Sequence, residues 1–161
     1  MKTDGENKGN IAIVTTLLVA MLIDTMPFPE LVTAFKPDWV AMALAYWVMA
    51  LPSRIGVFSG FFLGLFVDVL EGSLFGINAL SLAVVAFLIQ MLYHRLRLFP
   101  RWKQALNIAV IIGIHRLLVA MLSSLVEPVT PNPAYWLPLI AVAIFWPWAF
   151  IILRDVRRRF C

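Results

Sequence analysis

The sequence predicts an all-α polytopic membrane protein with six transmembrane helices. Three observations carry that expectation. Of 161 residues, 62% are hydrophobic and 14% charged, against roughly 25% charged in ordinary soluble domains; mean hydropathy is +0.90. The apolar residues gather in runs, and six spans of about 20 residues nearly exhaust a chain of this length. The basic residues fall in short clusters between the runs. This composition excludes an aqueous enzyme, a nucleic-acid-binding domain and a disordered tail. The formal charge of +4 is then a matter of loop placement and not of a nucleic-acid partner.

The elements follow in order. Residues 1–9 form a polar, loose N-terminal tail; the first span runs from Asn10 to Met26, ended by Pro27 and Pro29. No small-residue cleavage site follows it, so it reads as a span and not as a signal peptide. A loop from Phe28 to Asp38 leads to the short second span, Trp39 to Leu51, closed by Pro52 and the turn residue Arg54. The third span covers Ile55 to Leu70 and the fourth Leu74 to Tyr93. A basic loop follows, then the fifth span from Ala105 to Val126, then a loop holding Pro128, Pro131 and Pro133. The sixth span, Tyr135 to Leu153, ends in a basic tail, residues 154–161. The transmembrane domain is therefore 10–153. The short second span and its tight turns also admit five spans and a re-entrant segment. Cys161 is the lone cysteine, so no internal disulfide is expected, and its position does not fit prenylation.

Orientation follows from charge. With both termini cytoplasmic, the inner segments hold Lys2, Lys8, Arg54, Arg95, Arg97, Arg101, Lys103, Arg154, Arg157, Arg158 and Arg159, which is 11 of the 13 Lys and Arg. The outer loops hold only Lys36, and Arg116 lies within a span. Six spans satisfy the positive-inside rule, whereas five would strand a basic cluster outside. Trp39, Tyr135 and Trp136 then fall at the outer interface, where amphipathic rings gather.

Two constellations lie inside the spans. Gly56, Gly60, Gly64, Gly72 and Gly76 are spaced by multiples of four, with Asp68 filling the gap. Small residues at this spacing let helix backbones approach, either within the bundle or against a partner's helix. The second constellation is ionisable: Asp24, Asp68, His115 and Arg116. Asp24 lies 14 residues from Asn10, Asp68 14 from Arg54, and Arg116 13 from Lys103. Each is therefore about 20 Å along a core about 30 Å thick. Unpaired charge is costly at such depth, so Arg116 is expected to pair with Asp68, with Asp24 and His115 nearby. An internal ion pair, a proton or substrate path, and a partner interface all fit that pattern.

Catalytic patterns are thin. His94 sits in a basic loop, His115 has no nucleophile beside it, and neither metal-ligand spacing nor a phosphate-cradling glycine loop occurs. A non-enzyme without cofactor or metal is expected.

Several stretches carry a family resemblance. Phe35-Lys36-Pro37-Asp38-Trp39, Tyr46-Trp47 and Ala50-Leu51-Pro52-Ser53-Arg54 come first. Asp68-Val69-Leu70-Glu71-Gly72-Ser73-Leu74-Phe75-Gly76 follows, then Trp146-Pro147-Trp148 before the basic tail. In order and spacing they resemble the rod shape-determining protein MreD family of gammaproteobacteria. The resemblance implies a non-catalytic inner-membrane subunit of the cell-elongation machinery. Its partners would be MreC, the synthase pair RodA and penicillin-binding protein 2, and MreB directly or through MreC, with room for a homodimer. That family is similar in fold to the substrate-binding subunits of vitamin importers, which leaves a small-molecule-binding membrane subunit as the alternative. A polar, aromatic pocket under the outer loops would favour it.

Overall fold

A computed structural model describes residues 2–128, 130 and 132–160. Met1, Val129, Pro131 and Cys161 lie outside the described residues, and with them the expected places of Pro131 and Cys161. The described residues form seven α-helices and no strand: α1 Lys2–Thr25, α2 Glu30–Phe35, α3 Trp39–Ala50, α4 Val57–Glu71, α5 Ile77–Leu98, α6 Arg101–Ser124 and α7 Leu137–Phe160. A 3-10 turn, Pro133–Trp136, leads into α7. Six helices of 12 residues or more thus match the six expected runs, and α2 is a short addition inside the loop between the first two.

The boundaries differ from expectation in a consistent direction. The N-terminal segment is helical from Lys2, α6 begins at Arg101, and α7 continues to Phe160. Hydropathy marks where a helix enters an apolar medium, whereas backbone hydrogen bonds run on into its polar flanks. At the start of α6 and the end of α7, Arg, Lys and Gln are good helix formers and do not stop the helix. Four helices, α1, α5, α6 and α7, are long and apolar enough to cross a membrane alone. By contrast α3 has 12 residues and α4 has 15, roughly 18 and 23 Å of rise, short of a hydrocarbon core of about 30 Å.

The core is built around α3. Pro37 and Pro52 bound it, and the run between them has neither Gly nor Pro. Every residue from Val40 to Ala50 is buried. A helix apolar on all sides belongs inside a bundle, and α3 touches α1, α5, α6 and α7. Ala41, Ala43 and Ala45 allow the close approach, while Tyr46 and Trp47 fill the space between neighbours. The Trp47 indole N–H donates to Thr16 Oγ1 of α1 at 2.9 Å, so its one polar atom is satisfied where water cannot reach. Trp146 of α7 is likewise fully buried and donates to Gln104 Oε1 at 3.1 Å. The Gln104 amide in turn donates to the Leu96 carbonyl at 3.0 Å, tying α5, α6 and α7 together.

Candidate functional site

The glycine series does not form one surface. A Cβ at Gly60 would lie 2.7 Å from the Leu82 carbonyl oxygen, and one at Gly64 would overlap the Ala79 backbone. The backbones of α4 and α5 therefore touch at these two residues, and the contact is internal. At Gly56 an added Cβ would meet the end of the Gln90 side chain, which itself donates to the Pro52 carbonyl at 3.0 Å. Gly72 and Gly76 face open space. They correct the expectation of a single stripe, because their φ angles of 64° and 106° make the turn between α4 and α5.

That turn folds over Asp68. The residue is 1% exposed. It accepts from the Ser73 hydroxyl at 2.8 Å and from the backbone N–H groups of Gly76 at 2.9 Å, Asn78 at 3.0 Å and Ala79 at 3.3 Å. These are the N–H groups that the start of α5 leaves without helical partners. A carboxylate there satisfies them and lies at the positive end of the helix dipole.

Asp24, at the end of α1, does the same for α3. It accepts from Val40 N–H at 2.9 Å and Trp39 N–H at 3.4 Å. Lys36 Nζ lies 3.7 Å from its carboxylate and donates to its carbonyl.

The expected pairing of Arg116 with Asp68 does not form. Arg116 Nη1 donates to both carboxylate oxygens of Asp38, at 2.9 and 3.0 Å. Its Nε donates to the Tyr135 carbonyl at 3.1 Å, the Tyr135 hydroxyl donates back to the Arg116 carbonyl at 2.8 Å, and the guanidinium stacks 4.2 Å from the Tyr135 ring centroid. Asp68 turns toward the α4–α5 connection, whereas Arg116 faces the start of α3. Asp38 flanks α3 and makes no side-chain hydrogen bond to it, which leaves its carboxylate for Arg116.

These groups surround a cavity of about 210 Å³. Asp24, His115 and Arg116 line it, as do Asp38, Glu71 and Tyr135. Asp68 is one step removed: it holds the Asn78 backbone, and the Asn78 side chain donates to Glu71 at 3.1 Å. His115 is 8% exposed, and its Nδ1 has no hydrogen-bond partner among the described residues. A larger groove of about 1050 Å³ adjoins the cavity, sharing Arg116, Val119 and Tyr135 with it. Sequence reasoning left Asp38 and Glu71 in the outer loops and Tyr135 at the start of the sixth span, outside the expected polar cluster; the signal for Asp38 is an acid between Pro37 and the first residue of a helix.

Residues 7–156 match the family profile of the rod shape-determining protein MreD. The chain belongs to the MreD family. The Rod shape-determining protein MreD of Haemophilus influenzae is 30% identical to it over 147 residues, 91% of each chain. No solved structure matches, and the expected likeness in fold to vitamin-importer subunits finds no support. The MreD stretch runs from α1 into α7, so the glycine contact, the capped helix ends and the polar cavity all lie within the family domain. The expected turn at Pro52 and Arg54 lies there too. Arg54 reaches Glu6 at 3.0 Å, and Glu6 is the one member of the ion pairs described here that falls outside the matched MreD residues.

Proposed function

We propose that this membrane protein is a non-catalytic scaffold of the cell-elongation machinery. It holds MreC and the synthase pair RodA and penicillin-binding protein 2 together during lateral peptidoglycan synthesis and couples them to MreB. The observation that carries the reading is membership of the rod shape-determining family across residues 7–156. In this reading residues 10–153 are embedded in the inner membrane, and residues 1–9 and 154–161 project into the cytoplasm. The placement of 11 of 13 Lys and Arg in the inner segments supports that orientation.

The test has two parts. Expression in a rod-shaped host lacking its own MreD should restore rod growth, and the detergent-extracted protein should copurify MreC with the synthase pair. Round cells at normal abundance of the protein, with no partner recovered, overturn the scaffold. Reporter fusions after Arg97 and Pro128 should read cytoplasmic and periplasmic in turn; the reverse pattern overturns the orientation alone.

A further inference from the structure

The cavity and the groove beside it meet at one side chain. Arg116 lines both. Its Nη1 is taken by Asp38 and its Nε by Tyr135, while Nη2 has no hydrogen-bond partner among the described residues. A cationic donor therefore stands at the junction, with capacity to spare for an anion.

The cavity behind it is short of positive charge. Asp24 is matched by Lys36 and Asp38 by Arg116. Glu71, at the exposed rim of the cavity, has the Asn78 amide as its hydrogen-bond partner and no ion-pair partner among the described residues. His115 Nδ1, more than nine-tenths buried, is also unpartnered there. A buried polar atom of this kind calls for a complementary group. The cavity thus has room for one cationic donor near Glu71 and His115, and Arg116 has room for one anion at its mouth.

The groove supplies the third element. Its walls are mostly apolar, among them Leu117, Val119, Ala120 and Trp136, with Glu30 the one acidic residue in its lining. Ligand pockets generally run to about 300–1,000 Å³; the cavity of about 210 Å³ is too small for a whole amphiphile, and the groove lets the remainder lie outside it.

We propose that this end of the bundle binds one phospholipid with an ethanolamine headgroup: the phosphate on Arg116, the primary ammonium in the cavity toward Glu71 and His115, and an acyl chain along the groove. The charge pattern selects among lipids. A purely anionic headgroup would bring negative charge toward Glu71, Asp24 and Asp38. A choline headgroup carries positive charge but has no N–H to donate.

Native mass spectrometry of the full chain tests this. The protein is transferred into detergent micelles doped with phosphatidylethanolamine, phosphatidylglycerol or phosphatidylcholine at one mole fraction. A single ethanolamine lipid should be retained roughly tenfold over either of the others, the scale of one charge-assisted contact. Glu71→Gln keeps the Asn78 contact and should erase that preference. Ala120→Trp fills the groove and should lower retention of the ethanolamine lipid, while free phosphoethanolamine should bind to neither protein. Equal retention of the three lipids overturns the proposal, as does a preference that survives Glu71→Gln. Binding of free phosphoethanolamine as tightly as the lipid would assign the cavity to a soluble ligand instead.

Discussion

The two ends of α3 solve one problem with opposite charges. A helix of twelve residues has unpaired N–H groups at one end and unpaired carbonyls at the other. At the N-terminal end a carboxylate from α1, Asp24, accepts from Trp39 and Val40. At the C-terminal end a guanidinium from α5, Arg97, donates to the Met49 carbonyl at 2.6 and 2.9 Å and to the Ala50 carbonyl at 2.8 Å. Each charge has the sign that the helix dipole favours at its end. The difference lies in what surrounds them. The N-terminal end gathers three carboxylates, a histidine and an arginine around a cavity. At the other end arginines prevail, Arg97 and Arg157 lining a cleft with Gln104. The lesson is that a helix too short to cross the core can still be buried, provided its neighbours carry its caps.

The strongest way to break both ends at once is to move α5, which is capped by Asp68 and carries Arg97. Gly64→Leu puts a side chain where the Ala79 backbone already stands, and α4 must part from α5. Overpacking of this kind costs about 1–3 kcal/mol when side chains can shift, and backbone shifts less readily. We expect loss of the folded protein, read as membrane abundance near background. Gly72→Ala, which strains one turn and meets nothing, should cost only about 1–2 kcal/mol.

Next in size is the C-terminal end. Arg97→Leu leaves the Met49 and Ala50 carbonyls bare, which should cost about 3 kcal/mol in thermal stability in detergent, since hydrogen bonds to charged groups contribute about 1.5–3 kcal/mol each. Arg97→Lys should restore only part of this, because an ammonium cannot reproduce the planar fork on two carbonyls. Full rescue by lysine would show that charge alone caps this end.

The carboxylate caps should rank by how many N–H groups each holds. Asp68→Ala removes acceptors from three backbone N–H groups and a hydroxyl; Asp24→Ala removes them from two N–H groups. Loss of an N-terminal cap costs about 0.5–2 kcal/mol. Asp68→Ala is expected at or above the top of that range and Asp24→Ala near its middle, by the same thermal measurement. The opposite order would mean that the ion pair with Lys36 outweighs the cap.

The smallest effect separates partners from neighbours. A double-mutant cycle of Asp38→Asn with Arg116→Gln should show coupling of about 1 kcal/mol, as groups in contact generally do. The cycle of Asp68→Asn with Arg116→Gln should show coupling within about 0.5 kcal/mol of zero. Coupling in the second cycle and not the first would restore the pairing expected from depth.

Hydropathy made the six principal helices legible because the surroundings of each are either lipid or protein, and both demand apolar runs. It hid their ends, since Lys2 to Gly9 and Arg154 to Phe160 are polar and helical together. It also hid α2, six residues between Pro29 and Pro37. Counting residues from the ends of the spans puts Asp24, Asp68 and Arg116 at one expected level. It could not find which way each faces, because azimuth depends on how the helices are rotated against one another. The count therefore pairs Arg116 with Asp68, whereas Asp38, which the sequence places in a loop, is its partner. Glycine spacing located the α4–α5 contact at Gly60 and Gly64. The same spacing carried Gly72 and Gly76 along with it, although those two serve a turn.

The capping of α3 also sets a timetable for synthesis. Its acidic cap, Asp24, is translated before the helix exists and can meet Val40 as soon as that residue emerges. Its basic cap comes late: Arg97 lies 47 residues after Ala50, about 2 to 10 s at ordinary elongation rates of 5–20 residues per second. Throughout that interval the carbonyl end of α3 must be held by water or by the insertion machinery. Trp146 and its neighbours on α7, which close the bundle over α3, arrive later still. The helix at the centre of the folded protein is therefore among the last to be completed, and a chain halted after α4 would carry its future core unclosed.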